Sequence, residues 1–516
     1  MDWAVVGIYF AFIGVLALYV GGKQRSVKDY FLGGRSLPWW AATLSIVATE
    51  TSAITFIGVP AMSYRGDWGF LQLVLGFVIG RLFLAVYFVK ALYRDDTETV
   101  YGYLGWRFGE ATRSIAALFF LAGRVAGSGV RLLGGCIALG VALEAGGGEV
   151  EIKDAVRNAI IALGIFGTIF TLIGGIKAVV WTDVVLGFTL IASGLIAALY
   201  LWAQISSAPS APGDPTFGDK IQMVHFGWSL SDSGTLLAGV IGGFFLTMAT
   251  HGTDQDIAQR MLTCENSRGG SLSVIGSAVL IVPLFTLFLT VGTLLWFFYR
   301  STPSEYALPN DPNHIFPVFI VRELPTGVAG FVIAGLLAAS LSSLTSVLNA
   351  LAATTVSDLY RPWCRMFGRH THEDTHLVSV SRWVTLLWGG VLVYVAICFS
   401  GGDKNILSLA LQVLTYFYGA LLGAFLLGIL THRGTGGLVF TGMVAGVAVV
   451  LVLQLRQFVD QPGTAPTLIR SWVESLDRDA ILSTIPDIAW PYWTLIGAAC
   501  TFTIGLLRAT PFTRRD

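Results

Sequence analysis

Charge is scarce in this chain. Only 12% of its 516 residues are Asp, Glu, Lys or Arg, about half the share of an ordinary soluble domain. The 32 basic residues equal the 32 acidic ones. Nucleic acid as a partner would call for a basic excess. Cysteine is also sparse. Cys136, Cys264, Cys364, Cys398 and Cys500 are far apart, with no CxxC or Cys/His spacing, which excludes a disulfide framework and a zinc site. No linker sets off a soluble catalytic domain, and no nucleophile–base–acid arrangement points to an enzyme. The first apolar stretch has no basic segment before it and no small-residue cleavage site after it, so it is not a cleavable signal peptide.

What is present is apolar. Hydrophobic residues make up 54% of the chain, with 60 Gly, 33 Phe and 15 Trp. A soluble protein of this size could not cover that surface with polar groups. About 20 apolar residues carry a helix across the hydrocarbon. About thirteen such stretches are found, near 3–21, 39–64, 70–93, 114–145, 156–175, 178–203, 234–255, 272–299, 327–353, 379–400, 404–430, 437–456 and 489–508. The expected fold class is an all-α membrane protein forming one membrane domain over 1–516. Basic residues favour cytoplasmic loops. Alternate loops, beginning with Lys23, Arg25, Lys28 and Arg35 and including Arg260 and Arg268, hold 18 Lys and Arg against 10 on the other side. The N-terminus is then expected outside and the C-terminus in the cytoplasm of a multi-pass inner (plasma) membrane protein.

Isolated polar groups are costly in lipid, so polar clusters inside these spans are functional candidates. The first runs from Ser45 to Thr55 and holds Thr49, Glu50, Thr51 and Ser52. Ser and Thr compete for backbone hydrogen bonds, and a broken helix here would free carbonyls to ligate a cation. The alternative is a continuous helix with Glu50 paired to an arginine. The second cluster is Ser340 to Ser346, where Ser342, Thr345 and Ser346 share a face and Ser343 borders it. Hard oxygen ligands suit a small cation; small residues equally suit close helix packing. The third is Asp183, which could neutralise a cation but reads more simply as a helix cap. The fourth is Arg124 and Arg131, seven residues apart. Arg131 is too deep to snorkel easily and either pairs with Glu50 or faces an anionic substrate. The run from His370 to His376 lacks helical spacing and reads as a solvated loop. Gly146–Gly148 reads as a turn outside any phosphate-binding context.

Three segments carry a family resemblance. Gly252-Thr253-Asp254-Gln255-Asp256-Ile257-Ala258-Gln259-Arg260 looks like the DQ…QR signature of the sodium/solute symporter family, which there follows the sixth core helix. Gly419–Gly428 looks like its G-x-L-L-G-x-F-x-L-G segment, and Gly174–Asp183 like its GG-x-x-A-V-x-x-TD segment. The resemblance covers about residues 2–455. It implies the leucine-transporter fold, with two inverted repeats of five helices whose first helices are broken at the midplane. The repeats would be 39–203 and 234–430, preceded by helix 3–21 and followed by two helices in 437–508.

The same resemblance implies sodium as the coupling ion. By position, its ligands are the carbonyls of Ala48, Thr51 and Ala339 and the hydroxyls of Ser342 and Ser343. A second sodium position would match Asp183, Ser342, Thr345 and Ser346. Substrate would bind beside Thr49, Glu50, Thr55, Gln72, Arg131 and Phe417. Ser52–Ala61 followed by Tyr64-Arg65 looks closest to the monocarboxylate, multivitamin and iodide branch, which moves anions. Glu50 departs from that branch and keeps an amino acid or other zwitterion open. A sugar is less favoured, because Ile54 and Thr55 replace the sugar branch's polar residues. The expected function is sodium-coupled symport of a small solute by alternating access, with the lipid bilayer as surroundings and no obligate protein partner. Proton coupling, a channel and a membrane sensor are the competing classes.

Overall fold

The computed structural model describes residues 2–21, 26–93, 98–145, 151–205, 215–301, 308–368, 374–400, 406–462, 465 and 467–507. Among them the chain is helical, with one isolated bridge between Leu37 and Cys264 and no strand. The membrane-scale helices are α1 (Asp2–Gly21), α2 (Trp39–Glu50), α3 (Ala53–Arg65), α4 (Leu71–Leu92), α5 (Glu110–Ala145), α6 (Ile152–Gln204), α7 (Leu236–Gly252), α8 (Gln255–Leu262), α9 (Ser267–Ser301), α10 (Val328–Thr354), α11 (Asp374–Phe399), α12 (Ile406–Leu430), α13 (Gly436–Asp460) and α14 (Trp493–Leu506). Eight described helices are long and apolar enough to cross a membrane, or ten if each bent pair is one span.

Burial sorts these helices into centre and rim. The apolar window of α10 is 94% buried, whereas that of α1 is 22% buried. A helix apolar on every side belongs in a protein interior or in lipid. Helix α10 takes the first place, surrounded by α2, α5, α6 and α11. Helix α1 takes the second, turning Ile8, Phe12, Val15, Leu18 and Tyr19 outward. So broad an apolar outer surface suits hydrocarbon rather than water.

Three interruptions shape the centre. Helices α2 and α3 meet at a 63° bend over Thr51–Ser52, and α7 and α8 meet at a 63° bend over Thr253–Asp254. Helix α6 has 53 residues and would be about 80 Å long if straight. Gly175 interrupts it with φ 57° and ψ −168°, a conformation open to glycine because it has no Cβ. This interruption falls between the two stretches expected at 156–175 and 178–203.

Glycine also governs how the helices approach. On α4, a Cβ at Gly76 would stand 2.8 Å from Gly243 Cα of α7. Gly239 and Gly243 of α7 face Gln72 and Leu73 of α4 in the same way. The two helices therefore pack backbone to backbone, as membrane helices do where small residues allow it.

Candidate functional site

The break after α2 is the centre of the site. Thr51 and Ser52 leave helical geometry (ψ 84° and 173°). The Ser52 amide donates to Glu50 O at 3.1 Å, and the Thr55 amide donates to Ser52 O at 2.9 Å. Ala48 O and Thr51 O thus lose the amides that a continuous helix would send them. Local chemistry favours this rupture, since Thr49 Oγ1 donates to Ser45 O at 2.7 Å and short hydroxyl side chains compete with the ladder. The continuous-helix alternative is excluded.

Among the described residues, two hydroxyls in this region are buried without a partner, Thr51 Oγ1 on the break and Ser343 Oγ on α10. Leaving a buried hydroxyl unsatisfied costs about 1–3 kcal/mol. Ser342 Oγ donates to Asp183 Oδ1 at 2.6 Å and keeps its lone pairs. The donor set is oxygen throughout, which suits a hard cation. Ala48, Thr51, Ala339, Ser342 and Ser343 all lie on α2, the break and α10, which pack together.

The second expected cation position is differently engaged. Arg260 of α8 reaches Asp183 Oδ2 at 3.2 Å, Ser45 Oγ at 2.9 Å and Asp256 Oδ1 at 3.2 Å, and it also donates to Ser346 Oγ. Asp183 further accepts from Ser45 Oγ at 2.6 Å. Thr345 Oγ1 donates to Ser342 O at 3.2 Å. Asp183 is therefore not a helix cap: it lies inside α6, wholly buried, and its charge is matched by Arg260. Arg260 is not a cytoplasmic loop residue either. The DQ…QR segment forms the bend and most of α8 rather than a loop after the helix, and Arg260 is 0% exposed.

The expected substrate residues divide. Glu50, Thr55 and Arg131 line one cavity of about 70 Å³ with Ser52, Arg124, Thr250 and an apolar remainder that includes Phe70, Phe77 and Phe285. Glu50 pairs with Arg81 of α4, not with Arg131. Arg131 donates to Thr49 O at 3.3 Å and has no acidic partner among the described residues. Arg124 is matched, pairing with Asp254 at 2.8 Å and with Asp256. Thr49 turns its hydroxyl toward Asp183 and Ser346. Gln72 does not reach the cavity. Its amide donates to Gly69 O and Gly234 O and accepts from the His225 amide, which fixes the N-terminal end of α4. Phe417 lies on α12 against Phe119 and Gly123 of α5, one turn from Leu414, which does line the cavity.

Sequence reasoning missed Arg81 and His251. His251 Nε2 lies 3.7 Å from Glu50 Oε2, and its Nδ1 lies 2.9 Å from Thr250 Oγ1. A signal for Arg81 existed: it is a lone arginine inside an apolar span, preceded by Gly76 and Gly80. The acidic partners of Arg124 also stood in a quoted motif, at Asp254 and Asp256. The run from His370 to Glu373 lies outside the described residues. Among the described residues no group of three His, Cys, Asp or Glu is placed to hold a metal.

The model of the sodium:solute symporter family matches residues 30–446. The chain belongs to this family. A sodium/sialic acid symporter of Aliivibrio fischeri is 29% identical over 458 residues, covering 86% of this chain and 86% of that protein. The human sodium-coupled monocarboxylate transporter 1 is 28% identical over 458 residues, covering 87% of this chain and 70% of that one. A solved Na+-coupled sialic acid symporter, substrate-bound and outward-open, superposes with a TM-score of 0.80 at 23% identity, over 98% of this chain and 97% of that one. That likeness shows a shared fold. Members of the sodium:solute symporter family are multi-pass membrane transporters, not enzymes, and sodium is the family's coupling ion.

Proposed function

We propose that this chain is a sodium-coupled symporter of a small organic carboxylate, working by alternating access in the plasma membrane. The observation that carries the anion reading is Arg131, a guanidinium on the cavity wall whose one described bond is to a neutral carbonyl. A charge-assisted hydrogen bond to a carboxylate contributes about 1.5–3 kcal/mol. Sodium is assigned to the carbonyls of Ala48, Thr51 and Ala339 and the hydroxyls of Ser342 and Ser343. The unpartnered Thr51 and Ser343 hydroxyls support that assignment. Arg260 supports a single sodium per cycle, because it already supplies the positive charge at Asp183 and Ser346.

In this reading sodium ties the broken helix to α10 and completes the substrate cavity. Loss of sodium to the cytoplasm loosens α2 and α3 from α10 and releases the substrate inward. We further assign thirteen spans: the ten already counted, one more from dividing α6 at Gly175, and α12 and α14. The inverted repeats are 39–203 and 234–430, with the N-terminus outside and the C-terminus cytoplasmic.

The test is uptake into proteoliposomes of a panel of small carboxylates, amino acids and sugars. Each is run in sodium and in choline at fixed pH. Carboxylate uptake that needs sodium is expected. Uptake that persists in choline and follows a proton gradient would replace sodium coupling by proton coupling.

A further inference from the structure

We propose that the cavity has a second polar end, built on Glu50, Arg81, His251 and Thr250, and that it selects carboxylates carrying a hydroxyl over their plain counterparts. This deepens the carboxylate reading above and rests on it.

Glu50 lines the cavity with its side chain 13% exposed. Its Oε2 edge is held from behind. Arg81, wholly buried, donates to Oε2 and also to Ser277 Oγ at 3.1 Å, and His251 Nε2 stands 3.7 Å from the same oxygen. Arg81 thereby fixes the carboxylate. Oε1 has no partner among the described residues. A carboxylate oxygen only accepts, so this end of the cavity asks for a donor.

The charges define the donor further. Arg81 pairs with Glu50, Arg124 with Asp254 and Asp256, and Arg260 with Asp256 and Asp183. Arg131 lies on the cavity wall with no direct carboxylate contact among the described residues, and it sits over Thr49 O, the residue before Glu50. Its guanidinium offers a ligand's carboxylate a charge-assisted bond. A zwitterion would bring an ammonium to a carboxylate that Arg81 already pairs. A plain alkyl carboxylate or a halide meets Arg131 but leaves Glu50 Oε1 dry beside Phe70, Phe77 and Phe285. A hydroxy acid satisfies both ends. The cavity volume of about 70 Å³ is far below the roughly 300–1,000 Å³ of drug-sized sites, which favours an acid of few carbons.

The test uses the full chain purified in detergent. Its affinities for matched probes are measured by calorimetry in sodium and in choline: propanoate against lactate, butanoate against 2-hydroxybutanoate, and alanine as the zwitterion. In sodium, each hydroxy acid is expected to bind at least about tenfold tighter than its plain partner, because a buried site built for a hydroxyl rejects the analogue that lacks it. Alanine is expected to bind no better than propanoate. The double variant E50M/R81M removes both charges together, so neither is left buried alone. Its preference for the hydroxyl is expected to shrink to about threefold or less, whatever its absolute affinity. Equal binding of hydroxy and plain acids by the natural protein overturns the inference and leaves the carboxylate reading standing. So does a folded double variant that keeps the discrimination, whereas a preference for alanine over propanoate overturns the carboxylate reading as well. Binding of none of the probes overturns the carboxylate reading and this inference with it.

Discussion

Ser343 and Arg131 bear opposite kinds of unmet demand. Ser343 offers a buried oxygen that nothing among the described residues uses, and Arg131 offers a charge with no acid in direct contact among them. Removing the Ser343 hydroxyl deletes one ligand without leaving a charge behind. Ser343→Ala is therefore expected to raise the sodium concentration for half-maximal uptake about tenfold or more, with a thermal midpoint in choline close to that of the natural protein. Unchanged sodium dependence in a folded variant would remove Ser343 from the site. Asp183 is the contrasting case. It is wholly buried and takes hydrogen bonds from Arg260, Ser45 and Ser342. Asp183→Ala leaves Arg260 short of a partner in the interior, and breaking a buried pair in this way costs about 3–5 kcal/mol. The expected outcome is a large drop in thermal midpoint, in sodium and in choline alike. A loss of stability confined to sodium would instead mark Asp183 as an ion ligand.

The elements depend on where backbones can touch. Helices α4 and α7 meet through Gly76, Gly239 and Gly243, and any side chain at Gly76 would run into the α7 backbone. Overpacking of this kind costs about 1–3 kcal/mol or more. Gly76→Val is expected to lower the thermal midpoint, and because α4 carries Arg81, to weaken substrate binding as well. A variant as stable as the natural protein would show that α4 and α7 have room to separate. The interruptions were unequally legible. The break at Thr51–Ser52 could be read from hydroxyls and a carboxylate gathered in an apolar span. The break at Thr253–Asp254 could be expected only from the family resemblance, which implies a broken first helix in the second repeat, and not from the residues themselves. Gly252, Thr253 and Asp254 look like the end of a helix, and only the fold reveals that Asp254 accepts from the Asp256 amide at 2.8 Å and starts a second, fully buried arm. Arg260 was misread for the same reason, since a loop arginine and a buried one share the same letter. The pairs Glu50–Arg81 and Arg124–Asp254 join residues 31 and 130 positions apart, and no local pattern encodes such partners.

At the scale of the whole molecule, the proposed assignment has one short segment serve both ligands. The carbonyls assigned to sodium and many of the side chains on the cavity belong to residues 48–55 or to helices packed on them. Two ligands that stabilise the same segment must help each other by equal factors. The carboxylate's affinity should rise in saturating sodium by the factor that sodium's rises in saturating carboxylate, and calorimetry in both orders tests that equality. The charge carried per cycle follows from the same arrangement. With Arg260 seated on Asp183 and Ser346, the proposed cycle carries one sodium with one monoanion and moves no net charge. Each net charge is worth about 2.3 kcal/mol per 100 mV, about a 50-fold change in the accumulation ratio. Carboxylate accumulation driven by a fixed sodium gradient in proteoliposomes is therefore expected to be the same at zero potential and at about 100 mV inside negative. A gain approaching 50-fold would mean that a second sodium enters the cycle, and the position by Asp183, Ser342, Thr345 and Ser346 would be where to look for it once Arg260 moves aside.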